Sequence, residues 1–410
     1  MPLTFILRRL LLIALLVLPQ IYWLKIVLRL SKRSNRLLRY LIRLLVIFCW
    51  VAMIAVLIDR ISAKFLPPRI SYRIAPPVQL WIFSSTFAFF FTKALHMVVW
   101  LWERLLELIQ KPTKEYIASR RAMLRQTASI VGTAPFAAAI YGYGRERLHF
   151  EVEHVEVPLA NLPRALNGMR ILQLSDIHVG DFMPLHEIRR AVLIANELDP
   201  HVAVITGDFV TSWGDPLAEC IGELGRLRSP LGTWACNGNH EIYAGAEDDA
   251  EKIFAANGMT LLRHSASQLK WNGADFNLIG IDYQRNIPMA GKPLPTLNGA
   301  ESLVRREMPN ILLSHNPNTF PSAAAAGVEL SLSGHTHGGQ VDVEILHTAL
   351  NPARFITSFI AGLYHLPIEK QRTQQAFLYV NRGLGTLGFP ARIGSRPEIT
   401  LLTLRSSQAG

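Results

Sequence analysis

The apolar pattern divides the chain near residue 150. Before that point come long apolar runs of helical length: Leu10–Leu24, interrupted by Pro19; Leu41–Leu57, carrying Arg43; and Val78–Trp102, interrupted by Lys93 and His96. A membrane crossing needs about 20 mostly apolar residues, so these three predict transmembrane helices. A fourth run, Thr127–Gly144, is richer in small residues and is marginal for a span. After His149 the texture changes to short apolar runs of strand length, alternating with amphipathic stretches and Gly/Asn/Asp turns. Strands are predicted at Met169–Leu174, Val202–Ile205, Gly232–Ala235, Phe276–Ile281, Ile311–Leu313, Glu329–Leu332, Ala376–Val380 and Ile399–Leu404. Helices are predicted over 184–198, 215–227 and 246–257, which makes an α/β domain with a sheet covered by helices. A Pro/Gly-rich loop at 286–299 reads as an insertion. The expected organisation is a transmembrane region of about three helices (1–126), a fourth hydrophobic segment or export signal with its linker (127–150), and the α/β domain (151–410).

Charge refines this division. Residues 1–150 hold 22 Lys and Arg against 5 Asp and Glu, leaving 20 against 26 for the remainder. The net charge of +11 therefore belongs to the flanks of apolar segments and is no nucleic-acid footprint. The connections at 23–43 and 103–125 carry seven and six basic residues, against four at 59–73. That asymmetry predicts that the first and third connections face the cytoplasm. A fourth crossing then places the α/β domain on the other side of the cell membrane. "SRRAMLR" (119–125) is also similar to a twin-arginine export signal, and that reading puts the domain outside as well. The three cysteines (Cys49, Cys220, Cys236) form no metal-binding or disulfide pattern.

The candidate chemistry lies where strands end. "ILQLSDIH" closes on Asp176 and His178, "VAVITGDF" on Asp208, "TWACNGNHE" on Asn239, His240 and Glu241, "NILLSHNP" on His315, and "LSLSGHTHGG" on His335 and His337. Ligands of open α/β sheets bind outside the carboxyl ends of the strands. Asp, Asn and His without a soft sulfur suit Mn, Fe or Zn. Two such ions, about 4 Å apart, clamp the attacking and leaving oxygens of a phosphoryl transfer.

With these five motifs in this order the chain resembles the calcineurin-like metallophosphoesterase superfamily over residues 170–340. "HGGQV" (337–341) and "YVNRGLGTLGFPARIGSRPEITLLTL" (379–404) are similar to a bacterial membrane-attached branch related to UDP-2,3-diacylglucosamine hydrolases. The resemblance implies a four-layer αββα sandwich preceded by the membrane helices, with two divalent metal ions at one edge. One would take Asp176, His178, Asp208 and His337; the other would take Asp208, Asn239, His315 and His335, with Asp208 bridging. His240 would act on the substrate as a proton donor or charge stabiliser, oriented by a carboxylate. Arg382 and Arg392 are candidates for phosphate contacts. Two departures from the common pattern, Glu241 for Asp and Thr211 for a further Asp, remove no ligand.

The expected activity is hydrolysis of a phosphodiester or pyrophosphate, plausibly in a lipid-linked substrate such as UDP-2,3-diacylglucosamine; the alternative is a phosphomonoesterase acting outside the cytoplasm. A nucleotide-linked glycolipid would need the catalytic domain on the cytoplasmic face, against the vote of the basic connections. The apolar stretch Phe355–Leu366 reads as a lip for lipid or as a packed loop. The partners expected are a phosphorylated small-molecule or lipid substrate and the membrane, with no nucleic acid and no specific protein partner.

Overall fold

A computed structural model describes residues 3–32, 35–62, 68–110, 114–180, 182–284, 296–345, 348–355, 357–368 and 371–407. Most of the predicted insertion at 286–299 lies outside the described residues. The chain forms two units, residues 1–144 with 388–391, and residues 145–387 with 392–410.

The first unit is helical: α1 (Leu3–Ser31), α2 (Arg36–Ser62), α3 (Pro68–Gln110), α4 (Lys114–Val131) and α5 (Ala134–Tyr141). Among the described residues, three helices are long and apolar enough to cross a membrane, over Ala14–Ser31, Arg36–Ala55 and Ala75–Ile109. Large apolar side chains such as Phe48, Ile54, Phe87 and Leu108 point outward from them. That suits lipid as solvent. Polar groups are paired inside. Gln20 donates to Ser85 Oγ at 2.7 Å, and the indole of Trp23 donates to the Ser85 carbonyl at 2.8 Å. The fourth apolar segment is split between α4 and α5, which meet at Gly132–Thr133. The arginine-rich stretch sits within α4, where Arg121 reaches Glu103 at 2.9 Å and Glu107 at 3.2 Å.

The second unit contains two six-stranded sheets. The first runs β1 (Glu151–Leu159), β14 (Glu398–Ser406), β2 (Arg170–Leu174), β3 (Val202–Thr206), β4 (Thr233–Cys236) and β5 (Thr260–Leu261), with β2 to β5 parallel. The second runs β12 (Gly362–Ile368), β13 (Gln371–Val380), β9 (Leu330–Ser333), β8 (Asn310–Ser314), β7 (Ala274–Ile281) and β6 (Ser265–Trp271), with β13, β9, β8 and β7 parallel. β6 and β7 form a hairpin around Asn272–Gly273, both at positive φ, the backbone such a two-residue turn requires.

Alternation along each strand builds the layers. Ile171, Val204, Leu278, Leu313, Leu332 and Leu402 fill the space between the sheets. Leu172, Leu174, Ala203 and Ile205 face outward under helices α6 (Leu185–Glu197), α7 (Leu217–Leu224) and α9 (Glu247–Ala256). Ile279, Ile281, Leu312 and Leu378 pack outward on the second sheet, with α10 (Phe320–Ala326) supplying Phe320, Ala323 and Ala324. The architecture is the four-layer αββα sandwich expected. The carboxyl ends of β2, β3, β4, β8 and β9 bring their turns to one edge.

Candidate active site

Six of the seven expected ligands come together at that edge, and Asn239 follows the end of β4 there. Asp176, His178 and His337 offer donor atoms lying within 4.8 Å of one another, and so do Asp208, His315 and His335. Asp208 also groups in this way with His178 and His240, so it stands between the two sets. Its Oδ2 is 3.5 Å from His178 Nε2 and 3.0 Å from His315 Nε2. His178 Nε2 and His337 Nε2 are 3.1 Å apart, and His337 Nε2 is 3.3 Å from Asp176 Oδ1.

The backbone is strained to achieve this. Asp176, His178, Asp208, His335 and His337 all adopt positive φ, between 48° and 75°. Such outliers persist where surrounding structure over-determines them, and they cluster at functional sites. The glycines of the motifs serve close approach. A Cβ on Gly334 would lie 2.2 Å from Asp176 Oδ2, and one on Gly238 would lie 2.1 Å from Asp208 Oδ1.

The electrostatics fit cations. Burial lowers His178 to about 3 and His335 to about 4, and it holds His337 well below the ordinary value. These imidazoles are neutral at pH 7 with lone pairs available, the state a metal ligand needs. Burial acts the same way on His315, but the Asp208 and Asp176 carboxylates override it and raise the group to about 10. A cation held by His315 and Asp208 would take the place of that proton. Asn239 Oδ1 is buried and accepts no hydrogen bond among the described residues. An orphaned buried acceptor calls for a partner, and a cation beside Asp208 supplies one. The donor set therefore fits divalent metal ions.

Glu241 anchors the loops behind the ligands. One carboxylate oxygen accepts from the N–H of Asp208 at 2.9 Å and of Gly238 at 2.8 Å; the other accepts from Phe209 at 2.7 Å and Val210 at 3.2 Å. A single side chain thus fixes the turns that carry Asp208 and Asn239. Burial and the neighbouring Asp208 charge push this carboxyl up to about 7. Glu241→Gln replaces one oxygen by an amide NH2 facing two N–H donors. Each buried group left unpaired costs about 1–3 kcal/mol. We expect a fall in thermal midpoint of about 5–10 °C for the full chain in detergent, measured by differential scanning fluorimetry.

His240 lies beside the clusters. Its backbone N–H donates to Asp208 Oδ1 at 2.9 Å, and its ring Nδ1 donates to the Thr211 carbonyl at 2.6 Å. The expected orienting carboxylate is thus replaced by a main-chain oxygen. Thr211 Oγ1 also contacts His178 Nδ1 at 3.2 Å, so this position touches both residues. The two arginines differ from expectation. The Arg392 guanidinium is fully buried and donates to main-chain carbonyls. Arg382 is engaged by Glu151, Glu153 and Glu398 at 2.6 to 3.1 Å. Neither is a free phosphate contact. Tyr283, directly after β7, was missed. Its ring lies 5.3 Å from His335 and 6.0 Å from His315. "LIGIDY" carries the same signal as the other five motifs, an apolar strand running into polar residues.

Residues 169–339 match the family described as "Calcineurin-like phosphoesterase". The chain thus carries a calcineurin-like phosphoesterase domain over those residues. Residues 3–147 match a second description, "Probable Calcineurin-like phosphoesterase, transmembrane domain", so the phosphoesterase domain is joined to a membrane domain in one chain. Relatives named as phosphoesterases match the chain, one of them named for a transmembrane region as well. A zebrafish (Danio rerio) "Transmembrane protein with metallophosphoesterase domain" is 32% identical over 72% of this chain and 66% of its own length. "Uncharacterized metallophosphoesterase YkuE" of Bacillus subtilis is 29% identical, covering 70% of this chain and 98% of the relative. "Phosphodiesterase YaeI" of Escherichia coli is also 29% identical, covering 70% and 99%. The aligned stretch thus spans just under two thirds of the zebrafish protein and nearly all of the two bacterial ones.

Proposed function

We propose that this chain is a membrane-anchored, two-metal phosphodiesterase. The observation that carries the proposal is the shared carboxylate. Two buried ligand sets meet at Asp208, and His240 is held beside them by the Thr211 carbonyl. Asp176, His178, Asp208 and His337 would hold one ion; Asp208, Asn239, His315 and His335 would hold the other. When bound, such a pair neutralises phosphate charge and makes water a nucleophile near neutral pH. The chain's own part is to fix the ligands on strained turns, keep the His178, His335 and His337 imidazoles unprotonated and present His240 to the leaving oxygen. The printed name of the E. coli relative favours a diester over a monoester.

The membrane domain supports a substrate carried in or on the bilayer. Phe355 is 94% exposed and belongs to the stretch read as a lip. The basic connections place the catalytic domain outside the cytoplasm if the apolar stretch between Arg125 and Arg145 crosses; the matched membrane region extends past it, to residue 147. On that face a lipid-linked diester or pyrophosphate is favoured over a cytoplasmic nucleotide-linked glycolipid such as UDP-2,3-diacylglucosamine.

The test uses the full chain in detergent, stripped of metal and refilled with Mn2+. We expect hydrolysis of bis-p-nitrophenyl phosphate to appear only on refilling and to exceed that of p-nitrophenyl phosphate. Metal-dependent turnover of the monoester alone would favour a phosphomonoesterase. Inertness on both would sink the catalytic reading.

A further inference from the structure

Behind the metal ligands lies a second buried clasp. Arg392 is 0% exposed, and its guanidinium meets only carbonyl oxygens. Nη2 donates to the carbonyls of Arg382 at 2.8 Å, Gly383 at 3.0 Å and Gly385 at 2.5 Å. Nη1 donates to the Ser395 carbonyl at 3.1 Å and reaches the His337 carbonyl at 3.4 Å. The loop so held is pressed against the first ligand turn. Leu384 N–H donates to the Ser175 carbonyl at 3.0 Å, and Gly385 N–H donates to the Asp176 carbonyl at 2.7 Å. Contact is close enough that a Cβ on Gly383 would lie 2.5 Å from Asp176 Cβ, and one on Gly385 would lie 2.9 Å from His178 Cβ.

A guanidinium taken wholly out of water is costly, and apolar side chains of similar volume usually stabilise a core at least as well. Stability alone gives no reason to keep it. Geometry does. Its donors lie in a rigid planar fork that bridges carbonyls on separate segments at once, which an ammonium on a flexible stem does not do. Those segments back onto Asp176, His178 and His337, which are three of the four ligands of one metal. The other set reaches its anchor through Glu241 instead.

We propose that Arg392 is the positioning residue for the Asp176–His178–His337 metal, and that this ion, not its neighbour, depends on it. The inference rests on the two-metal reading above. Disturbing groups that orient metal ligands typically weakens binding by about 10–100-fold.

The test is Mn2+ titration of the full chain in detergent, followed by elemental analysis and electron paramagnetic resonance. It compares the wild type with Arg392→Lys, Ser395→Ala and the exposed control Arg305→Met. Ser395 Oγ donates to the same His337 carbonyl at 3.1 Å. The wild type should bind two Mn2+ with the signature of a coupled pair. Arg392→Lys should bind one ion with affinity within about threefold of wild type and the second about 10–100-fold more weakly. An isolated-Mn2+ spectrum should then appear at intermediate metal, and excess Mn2+ should restore turnover. Ser395→Ala should move the same site by less. Retention of both ions at wild-type affinity in Arg392→Lys would overturn the proposal, as would parallel loss of both with the fold. A wild type that never binds a pair would remove the two-metal reading itself.

Discussion

Asp208→Asn should abolish hydrolysis of bis-p-nitrophenyl phosphate, with kcat/KM falling by at least about a thousandfold. Removing a single group that stabilises transition-state charge typically costs about 10²–10³ in rate. Asp208 stands in two ligand sets at once, so its loss reaches further than that. The replacement is nearly isosteric, and the oxygen that accepts from His240 N–H at 2.9 Å can be retained as the amide carbonyl. The turn should therefore persist while the charge is lost. Bound Mn2+ should fall from two to one or none per chain. A second readout separates charge from shape. In metal-free protein the Asp208 carboxylate raises His315 to about 10, above the ordinary value near 6.5. A group raised on folding stabilises fully below its unfolded pKa, and that contribution is lost as pH rises through the folded value. Metal-free wild type should thus lose stability between about pH 6.5 and 10 relative to Asp208→Asn, where the Asp208 contribution is gone and only the smaller Asp176 contribution remains. Full activity with two bound metals in the variant would show that the bridging carboxylate has been misassigned.

The site was legible from the sequence to the extent that its signal repeats locally. Five apolar strands each ran into a turn of Asp, Asn or His, and strand ends are where parallel sheets expose their loops. The residues of the clusters that could hold metal could be read for that reason. The supporting residues could not, because their work is done on backbone atoms brought close by the fold. Nothing in "FPARIGS" says that Arg392 will be buried among five carbonyls, and an arginine near phosphate chemistry invites the wrong partner. The Thr211 carbonyl orients His240 where a carboxylate was expected, and a main-chain oxygen leaves no trace in residue type. Glu241 was visible only as a conservative departure, although its extra methylene carries a carboxylate to four N–H groups. The edge strands β1 and β6 were missed for a related reason. In "EVEHVEVPL" only Val157 and Leu159 are buried, while the other side chains are half-buried or exposed. Its polarity masked a strand that alternation would have revealed. In the first unit, composition alone located three long helices, and Pro135 at the start of α5 accounts for the break before it; the close approach at Gly132 was not legible, since it depends on packing that would put a Cβ 2.0 Å from Thr92 Oγ1.

His240→Ala should lower kcat by about 10²–10⁴, the range for removing a positioned acid or base, while leaving two metals bound. The geometry specifies more than a loss. Donation from Nδ1 to the Thr211 carbonyl fixes which ring nitrogen is left, so Nε2 is the atom that can serve the substrate. If Nε2–H donates a proton to the departing oxygen, its value depends on how poor the leaving group is. A p-nitrophenolate departs readily without protonation, whereas an alkoxide does not. The deficit should therefore sit near the low end of the range for bis-p-nitrophenyl phosphate and near the high end for a methyl or glyceryl diester, each compared with wild type on the same substrate. KM should change little if the interaction strengthens only as charge develops, because such interactions act on kcat. A uniform deficit across leaving groups would assign His240 to charge stabilisation at the phosphoryl oxygens. A rise in KM with kcat unchanged would reduce it to a binding contact, since groups that hold ground state and transition state equally act on KM alone. Loss of metal along with rate would make it a ligand, as its proximity to His178 and Asp208 also permits. The slope of log kcat against leaving-group pKa, wild type against variant, decides among these outcomes.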